Sequence, residues 1–378
     1  MTPFGISAPA RILFGRGEAA KAGALIATFG TRVLIVHGSD GRRTSWLTIP
    51  GAEAQRLPCP GEPTLEMLTE ALAITRAFAP EVVVGVGGGA VLDLAKALEA
   101  MIPAPGEPMD HLEVVGRGLP LTAPPLPFVA IPTTSGTGAE ATKNAVIGVP
   151  EHGRKVSLRD DRMLARLAIV DPALTDHTPR GVTLASGLDA VTQVIEPYIC
   201  TRATPYTDAL TRPAIPLGIA ALIRLMQAEN AQARDDLAWV SLCGGLALAN
   251  SGLGAVHGLA GVIGGLIPAA HGAICGVLLG PVLAVNRRAA TGVARARLDE
   301  VCGILASAFG CKTDDAPATL SRWAAEAGLP TLSDLGLDPS QHAGVAAAAA
   351  SSSSMKANPV ALSAADLVEA LRAADATA

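Results

Sequence analysis

Through its first half the chain alternates short, continuous apolar runs with segments of helical spacing. Arg32-Val33-Leu34-Ile35-Val36-His37, Glu81-Val82-Val83-Val84-Gly85 and Pro127-Phe128-Val129-Ala130-Ile131 are apolar without alternation, as strands buried on both faces are. Residues 64–78 and 91–101 between them carry apolar positions at helical spacing. Strand and helix in turn predict a parallel sheet with crossover helices. Residues 143–158 predict an excursion from it, two short strands around Pro150-Glu151-His152-Gly153.

After Asp171-Pro172 the pattern becomes Ala/Leu-rich and helical, and Thr178-Pro179 supplies a local break. A chain of 378 residues exceeds what one core usually serves. The reading is therefore an α/β domain over 1–178 and an all-helical domain over 179–378. Ser363-Ala364-Ala365-Asp366 has the form of a capping box opening a last helix. The Ala/Ser-rich run 346–354 leads into Met355-Lys356-Ala357-Asn358-Pro359, which predicts helix and turn rather than a linker.

Residues 237–286 hold no Asp, Glu, Lys or Arg. A membrane span is one reading of that stretch. Gly264-Gly265, Pro268, Asn250, His257 and His271 interrupt it, and such interruptions suit buried helices of a helical domain better. Net charge is −5, without the basic stripe of a nucleic-acid binder. Six scattered cysteines with no CxxC pair read as reduced thiols of a cytoplasmic protein. Met1-Thr2-Pro3-Phe4 has neither a basic nor an apolar region of a secretory signal.

Two segments carry candidate binding chemistry. Val82-Val83-Val84-Gly85-Val86-Gly87-Gly88-Gly89-Ala90 runs from strand through glycines into helix. Glycines admit a pyrophosphate to the backbone, and the helix start offers it unpaired N–H groups. The plainer reading is a tight strand-to-helix turn. Pro132-Thr133-Thr134-Ser135-Gly136-Thr137-Gly138 follows the next strand and is either a polar turn or a second ligand loop. Loops after neighbouring strands point to one crevice.

In the second half, Asp189 and Gln193 stand at i and i+4, on one helical face. His257 and His271 are the histidines of the uncharged stretch. A lone buried His is most simply a hydrogen-bonded core residue. Two with a carboxylate form a 2-His-1-carboxylate set that holds a divalent metal and leaves positions open for substrate.

Together these motifs resemble the iron-containing (group III) alcohol dehydrogenase family over nearly the whole chain. The matching pieces are Gly87-Gly88-Gly89 with Asp93 and Lys96, Pro132 to Thr137, Asp189-Ala190-Val191-Thr192-Gln193-Val194-Ile195-Glu196, and His257 with His271. The resemblance implies a Rossmann-like N-terminal domain, an all-helical C-terminal domain, an active site in the cleft between them, and a homodimer or larger assembly. It assigns Asp189, His257 and His271 to Fe²⁺ or Zn²⁺, with Gln193 at a fourth ligand position. Gly87, Gly88 and Gly89 match the pyrophosphate turn, with Asp93 beside it. Thr133, Thr134 and Thr137 match the nicotinamide loop, and Lys155 matches a lysine near the cofactor. The chain has six lysines against 23 arginines, so Lys96, Lys143, Lys155 and Lys356, all in motif-like segments, are read as more than casual surface charges.

Three residues depart from the family pattern. Gln193 stands where a further His ligand is usual, which should weaken metal binding; zinc-dependent glycerol dehydrogenases manage with one carboxylate and two histidines. Gly261 replaces a second His that relays protons, leaving a metal-bound water or the cofactor ribose for that task. Ala90 replaces a serine. The related maleylacetate reductases dispense with metal and typically lack the Asp, whereas Asp189 is retained here.

The first strand ends at His37-Gly38-Ser39-Asp40-Gly41-Arg42-Arg43. Family members selecting NAD(H) place an acidic residue where Gly38 stands. Gly38 and Ser39 leave room for a 2′-phosphate that Arg42 or Arg43 can pair with, so NADP(H) is expected over NAD(H), with Asp40 as the counter-argument. The resulting reading is a dehydrogenase or reductase acting on a small carbonyl or alcohol, without nucleic-acid or membrane partners. A metal-free reductase of an unsaturated oxo-acid is the principal rival; a dehydroquinate-synthase-like lyase and a non-catalytic cofactor binder are the others.

Overall fold

The computed structural model describes residues 3–376; Met1 and Thr2, part of the N-terminal segment read above, lie outside them. The chain forms two compact units. One comprises Ser7–Thr134 and Gly138–Asp176; the other takes the chain from His177 onward together with Ser135–Thr137 and the segment ending at Ile6.

The first unit is built on eight strands: β1 (Ile12–Phe14), β2 (Arg32–His37), β3 (Glu53–Pro58), β4 (Val82–Gly87), β5 (Phe128–Pro132), β6 (Asn144–Val149), β7 (Arg154–Arg159) and β8 (Leu167–Val170). Six form a parallel sheet in the order β1-β8-β5-β4-β2-β3. β6 and β7 pair as an antiparallel hairpin, the expected excursion. Helices α1 (Ala22–Ile26), α2 (Leu65–Phe78), α3 (Gly89–Met101) and α4 (Pro108–His111) complete the unit.

The continuous apolar runs have a direct cause. Val33, Ile35, Val82, Val84 and Val129 face one core with Ile26 of α1. Leu34, Val36, Val83, Phe128 and Ala130 face the other, with α2, α3 and the hairpin. Alternate side chains of each strand are thus buried on opposite faces, which favours apolar residues throughout; the one buried polar side chain of β2, His37, lies at its end against the Gly38 carbonyl. β2 lies beside β4 in parallel register, Val33 opposite Val82 and His37 opposite Val86. Here strand order reverses: the chain goes from β2 outward to β3, then from β4 to β5 on the other side. A crevice beyond the carboxyl ends of such strands is where doubly wound sheets take ligands.

The second unit is helical: α5 (Arg180–Ile199), α6 (Pro205–Gln227), α7 (Ala231–Asn250), α8 (Ala255–Leu266), α9 (His271–Ala289), α10 (Gly292–Phe309), α11 (Ala316–Glu326), α12 (His342–Ala349) and α13 (Ala364–Asp375). α5 is its central helix, buried without interruption from Gly187 to Ile199 and packed against α6, α7 and α9. That position explains why its sequence lacks an amphipathic stripe. The uncharged stretch contributes the second half of α7, then α8 and α9. α7 and α8 meet at 94°, so they form no straight span, and their apolar residues lie in the unit's core. α6 is the one described helix that by itself is long and apolar enough to cross a membrane; its apolar positions pack on α5 and α7. Ser363 caps α13 through a capping box with Asp366.

Candidate functional site

α5 carries Asp189, Gln193 and Glu196 at i, i+4 and i+7, all buried. α9 reaches this face because residue 272 is glycine. A Cβ at Gly272 would lie 2.5 Å from the Ala185 carbonyl oxygen and 3.3 Å from Asp189 Cβ. The close approach brings His271, at the start of α9, and Cys275, one turn later, to Asp189.

α8 enters from a third direction. Glu196 accepts from the Val256 amide at 2.7 Å and the His257 amide at 3.4 Å, so α5 supplies a carboxylate to the N-terminus of α8. Asn358, in the turn before α13, accepts from the Ala255 amide at 3.0 Å. Glu196 also receives a hydrogen bond from His257 Nδ1 at 2.7 Å. With Nδ1–H so engaged, His257 turns Nε2 toward Asp189 Oδ1, 3.5 Å away.

Donor atoms of Asp189, His257, His271 and Cys275 all lie within 4.8 Å of one another. Asp189 Oδ1 and His257 Nε2 are buried and make no hydrogen bond. With the imidazole neutral, these two atoms present lone pairs to each other out of water, which costs free energy unless a proton or a metal cation sits between them. Burial pushes the Asp189 carboxyl upward, but the close approach of His257 and the charges of His271 and His257 outweigh it and hold the group below its usual value. Burial likewise depresses both imidazoles. Interactions with Cys275 and Asp189 reverse this, lifting His271 to about 9 and His257 well above its ordinary range. The cluster selects for positive charge. Its donor set, one carboxylate, two imidazoles and a thiol, fits Fe²⁺ or Zn²⁺.

Gln193 donates from Nε2 to the Thr137 carbonyl, which ties Ser135–Thr137 to the helical unit. Gly136 allows this contact, since a Cβ there would meet Ser186 at 3.2 Å. Thr137 thus clusters with the helices, while Thr133 and Thr134 stay with the sheet.

At the sheet, Thr133 donates its amide to the Gly87 carbonyl at 3.0 Å. The turns leaving β4 and β5 therefore begin side by side. A Cβ on Gly88 would meet Thr134 Oγ1 at 3.2 Å, and one on Gly87 would strike Val91 at 2.5 Å. These glycines serve close approach; within these two loops the left-handed backbone falls instead at Gly138 (φ 58). Gly88 caps α3 without a side chain, which leaves the first-turn amides of a 13-residue helix to another acceptor. Asp93, the next turn along, pairs with Lys96 at 3.3 Å. Lys96 is wholly buried and donates to Ala139 O, Thr142 Oγ1 and Asn144 O. It fastens α3 to the segment after the threonine loop.

Lys155, on β7, is ion-paired with Glu62. Lys143 pairs with Asp161 on the surface at 2.5 Å. Beyond β2, space around Gly38 is open where a side chain would project. Asp40 caps the short turn Gly41–Thr44 and holds Arg42 through Nε at 2.9 Å and a second nitrogen at 3.1 Å.

The profile of the family described as iron-containing alcohol dehydrogenase matches residues 9–172, and that of its C-terminal part matches residues 183–375. The chain belongs to the iron-containing alcohol dehydrogenase family. It is 32% identical over 366 residues to the probable alcohol dehydrogenase EutG of Escherichia coli, covering 93% of this chain and 90% of that one. An NAD-dependent methanol dehydrogenase of Bacillus methanolicus is 35% identical over 212 residues, 56% of this chain and 55% of that one. Among solved structures, a 1,3-propanediol oxidoreductase superposes with TM-score 0.88 at 28% identity, over 99% of this chain and all of that one. The family, the α/β-plus-helical fold and the standing of the chain as an alcohol/aldehyde oxidoreductase are thereby established.

As a family member the chain carries two residues that the sequence reading did not assign. Cys275 lies four residues after His271, a helical spacing that was open to notice. Glu196 stood within the quoted motif, but its partner is 61 residues away, and spacing does not reveal it. Gly261, standing where many family members carry a second His, lies one turn after His257 with nothing within 4 Å of the position a Cβ would take.

Proposed function

We propose that this protein interconverts a small alcohol and its aldehyde or ketone with NADP(H), using a divalent metal held by Asp189, His257 and His271. The observation that carries the reading is the pair of buried, unpartnered atoms Asp189 Oδ1 and His257 Nε2, an arrangement made for a cation. A divalent metal there would act as a Lewis acid on the substrate oxygen. The nicotinamide would donate or accept the hydride.

The chain's own residues do the rest. Glu196 fixes the tautomer and orientation of His257, leaving Nε2 as the ligand atom. Cores on α5, α8 and α9 keep water from the donors, so the charge they meet is poorly screened. The α3 N-terminus with Gly87, Gly88 and Gly89 would take the pyrophosphate. Thr133 and Thr134 stand beside it, Asp93 and Lys96 brace the turn, and Lys155 with Glu62 lies on the hairpin of the same unit. Gly38 and Ser39 leave room for a 2′-phosphate, and Arg43 is the cation for it, since Arg42 is held by Asp40.

Metal content decides the first point: elemental mass spectrometry on anaerobically purified protein should find about one Fe or Zn per chain, lost in His257→Ala. Turnover that persists in metal-free protein would move the reading to a metal-free reductase. For the second, kcat/KM with NADPH should exceed that with NADH; a tenfold preference for NADH, as the name of the methanol dehydrogenase would suggest, would sink it.

A further inference from the structure

We propose that Cys275 is a metal ligand, so that the site is Asp189, His257, His271 and a thiolate; this rests on the reading that the cluster holds a divalent metal.

Three observations carry it. Cys275 Sγ lies 3.4 Å from His271 Nε2 and belongs to the set of donors within 4.8 Å of one another. Two atoms coordinated to one ion at ~2.0–2.3 Å stand no more than about 4.6 Å apart, so a small adjustment brings all four into one shell. Cys275 is fully buried, and two other members of that donor set, His257 and Asp189, hold a buried atom without a hydrogen-bond partner. Finally, the amide nitrogen of Gln193 is engaged with the Thr137 carbonyl, so the residue at the expected fourth-ligand position has a structural task of its own.

The helix explains how the sulfur arrives. His271 and Cys275, at i and i+4, share the face of α9 that Gly272 lets down onto α5. A Cβ at Gly276 would meet Leu188 Cδ1 at 2.7 Å, so this glycine holds the same approach one turn further.

The consequence is chemical. Among the donor atoms Asp189 alone leaves a divalent ion with one positive charge; a thiolate makes that inner shell neutral, with the Glu196 carboxylate outside it on His257. A sulfur donor also favours zinc or cobalt over ferrous iron. Binding would release the thiol proton to solvent.

The test needs no enzymatic turnover. Zinc-loaded wild-type protein, examined by X-ray absorption at the zinc edge, should show one sulfur at about 2.3 Å beside nitrogen and oxygen donors. Cobalt-loaded protein should show a sulfur-to-metal charge-transfer band in the near ultraviolet. Cys275→Ser should abolish both signals and weaken zinc by more than roughly tenfold, the low end of what losing a mere supporting partner costs. Stoichiometric zinc with only nitrogen and oxygen neighbours in the wild type would overturn the ligand role of Cys275 and leave the metal reading standing. No bound zinc or cobalt in wild type or His257→Ala would overturn both. The wild-type spectra decide the matter even if the Cys275 variants fold poorly.

Discussion

Glu196 and His257 are joined twice: the carboxylate accepts from the imidazole Nδ1 at 2.7 Å and from the same residue's backbone amide at 3.4 Å. One side chain therefore sets where α8 begins and which ring nitrogen of His257 faces Asp189. Glu196→Gln keeps the size but presents an NH₂ group where Nδ1–H must donate, or an oxygen of weaker basicity. Metal affinity should fall by about 10–100-fold with the fold retained. Competition with a metallochromic chelator reads this; unchanged affinity would reduce Glu196 to a helix cap.

The approach of α9 to α5 is equally specific. In Gly272→Ala the new methyl meets the Ala185 carbonyl oxygen at 2.5 Å, and both partners are helix backbone that cannot give locally. α9 must shift, carrying His271 and Cys275 with it. Stability should drop by about 1–3 kcal/mol, and metal stoichiometry should fall further than stability alone explains. Gly261→Ala is the control, since nothing lies within 4 Å there; it should leave metal stoichiometry unchanged and, as a mid-helix glycine replaced, raise stability by up to about 1 kcal/mol.

The parts of this molecule legible in its sequence are those where one local pattern has one physical cause. β2, β4 and β5 are read directly because strands buried on both faces are apolar at successive positions, as in residues 33–36 and 82–84. β3 escapes that rule: as an edge strand it shows Glu53, Gln55 and Arg56 to its surroundings, with no fully buried position. Asp189, His257 and His271 are legible as unusual polar residues in apolar helices. Glu196 as the partner of His257, and Cys275 as its neighbour across helices, depend on how α5, α8 and α9 pack. The segment Ser135–Thr137 shows the same limit, since its membership in the helical unit rests on Gln193 and Ser186, some fifty residues further along.

Cofactor choice should turn on two positions after β2. Gly38→Asp places a carboxylate into open space, where it would repel a 2′-phosphate and accept from a ribose hydroxyl. The kcat/KM ratio of NADPH to NADH should fall by at least roughly tenfold. Arg43→Ala should cost NADPH more than Arg42→Ala does, because Arg42 is already bound to Asp40. Equal losses in the two variants would mean that the Asp40 pair opens for the cofactor.

Glu140 supplies a pH dependence separate from the metal cluster. It lies fully buried just past the threonine loop, and burial raises its pKa from 4.5 to about 7, against the opposing pull of its own backbone hydrogen bond and of Lys96. Lys96 is itself depressed by burial, while Asp93, Glu140 and Glu99 act to raise it. The sign follows from linkage. A carboxyl whose folded pKa is raised binds its proton more tightly in the native state, so its contribution is fully present below pH 4.5 and lost as pH rises through about 7. Glu140→Gln is neutral throughout and removes that loss. The two proteins should have similar stability near pH 4.5 apart from a constant offset. Above pH 7 the variant should gain up to about 3 kcal/mol relative to wild type. Urea unfolding at pH 5 and pH 8.5 measures the change in the difference. An offset that stays the same at both pH values would show that Glu140 keeps its charge through an ion pair with Lys96, and that the Lys96 cluster is a paired network rather than a protonated one.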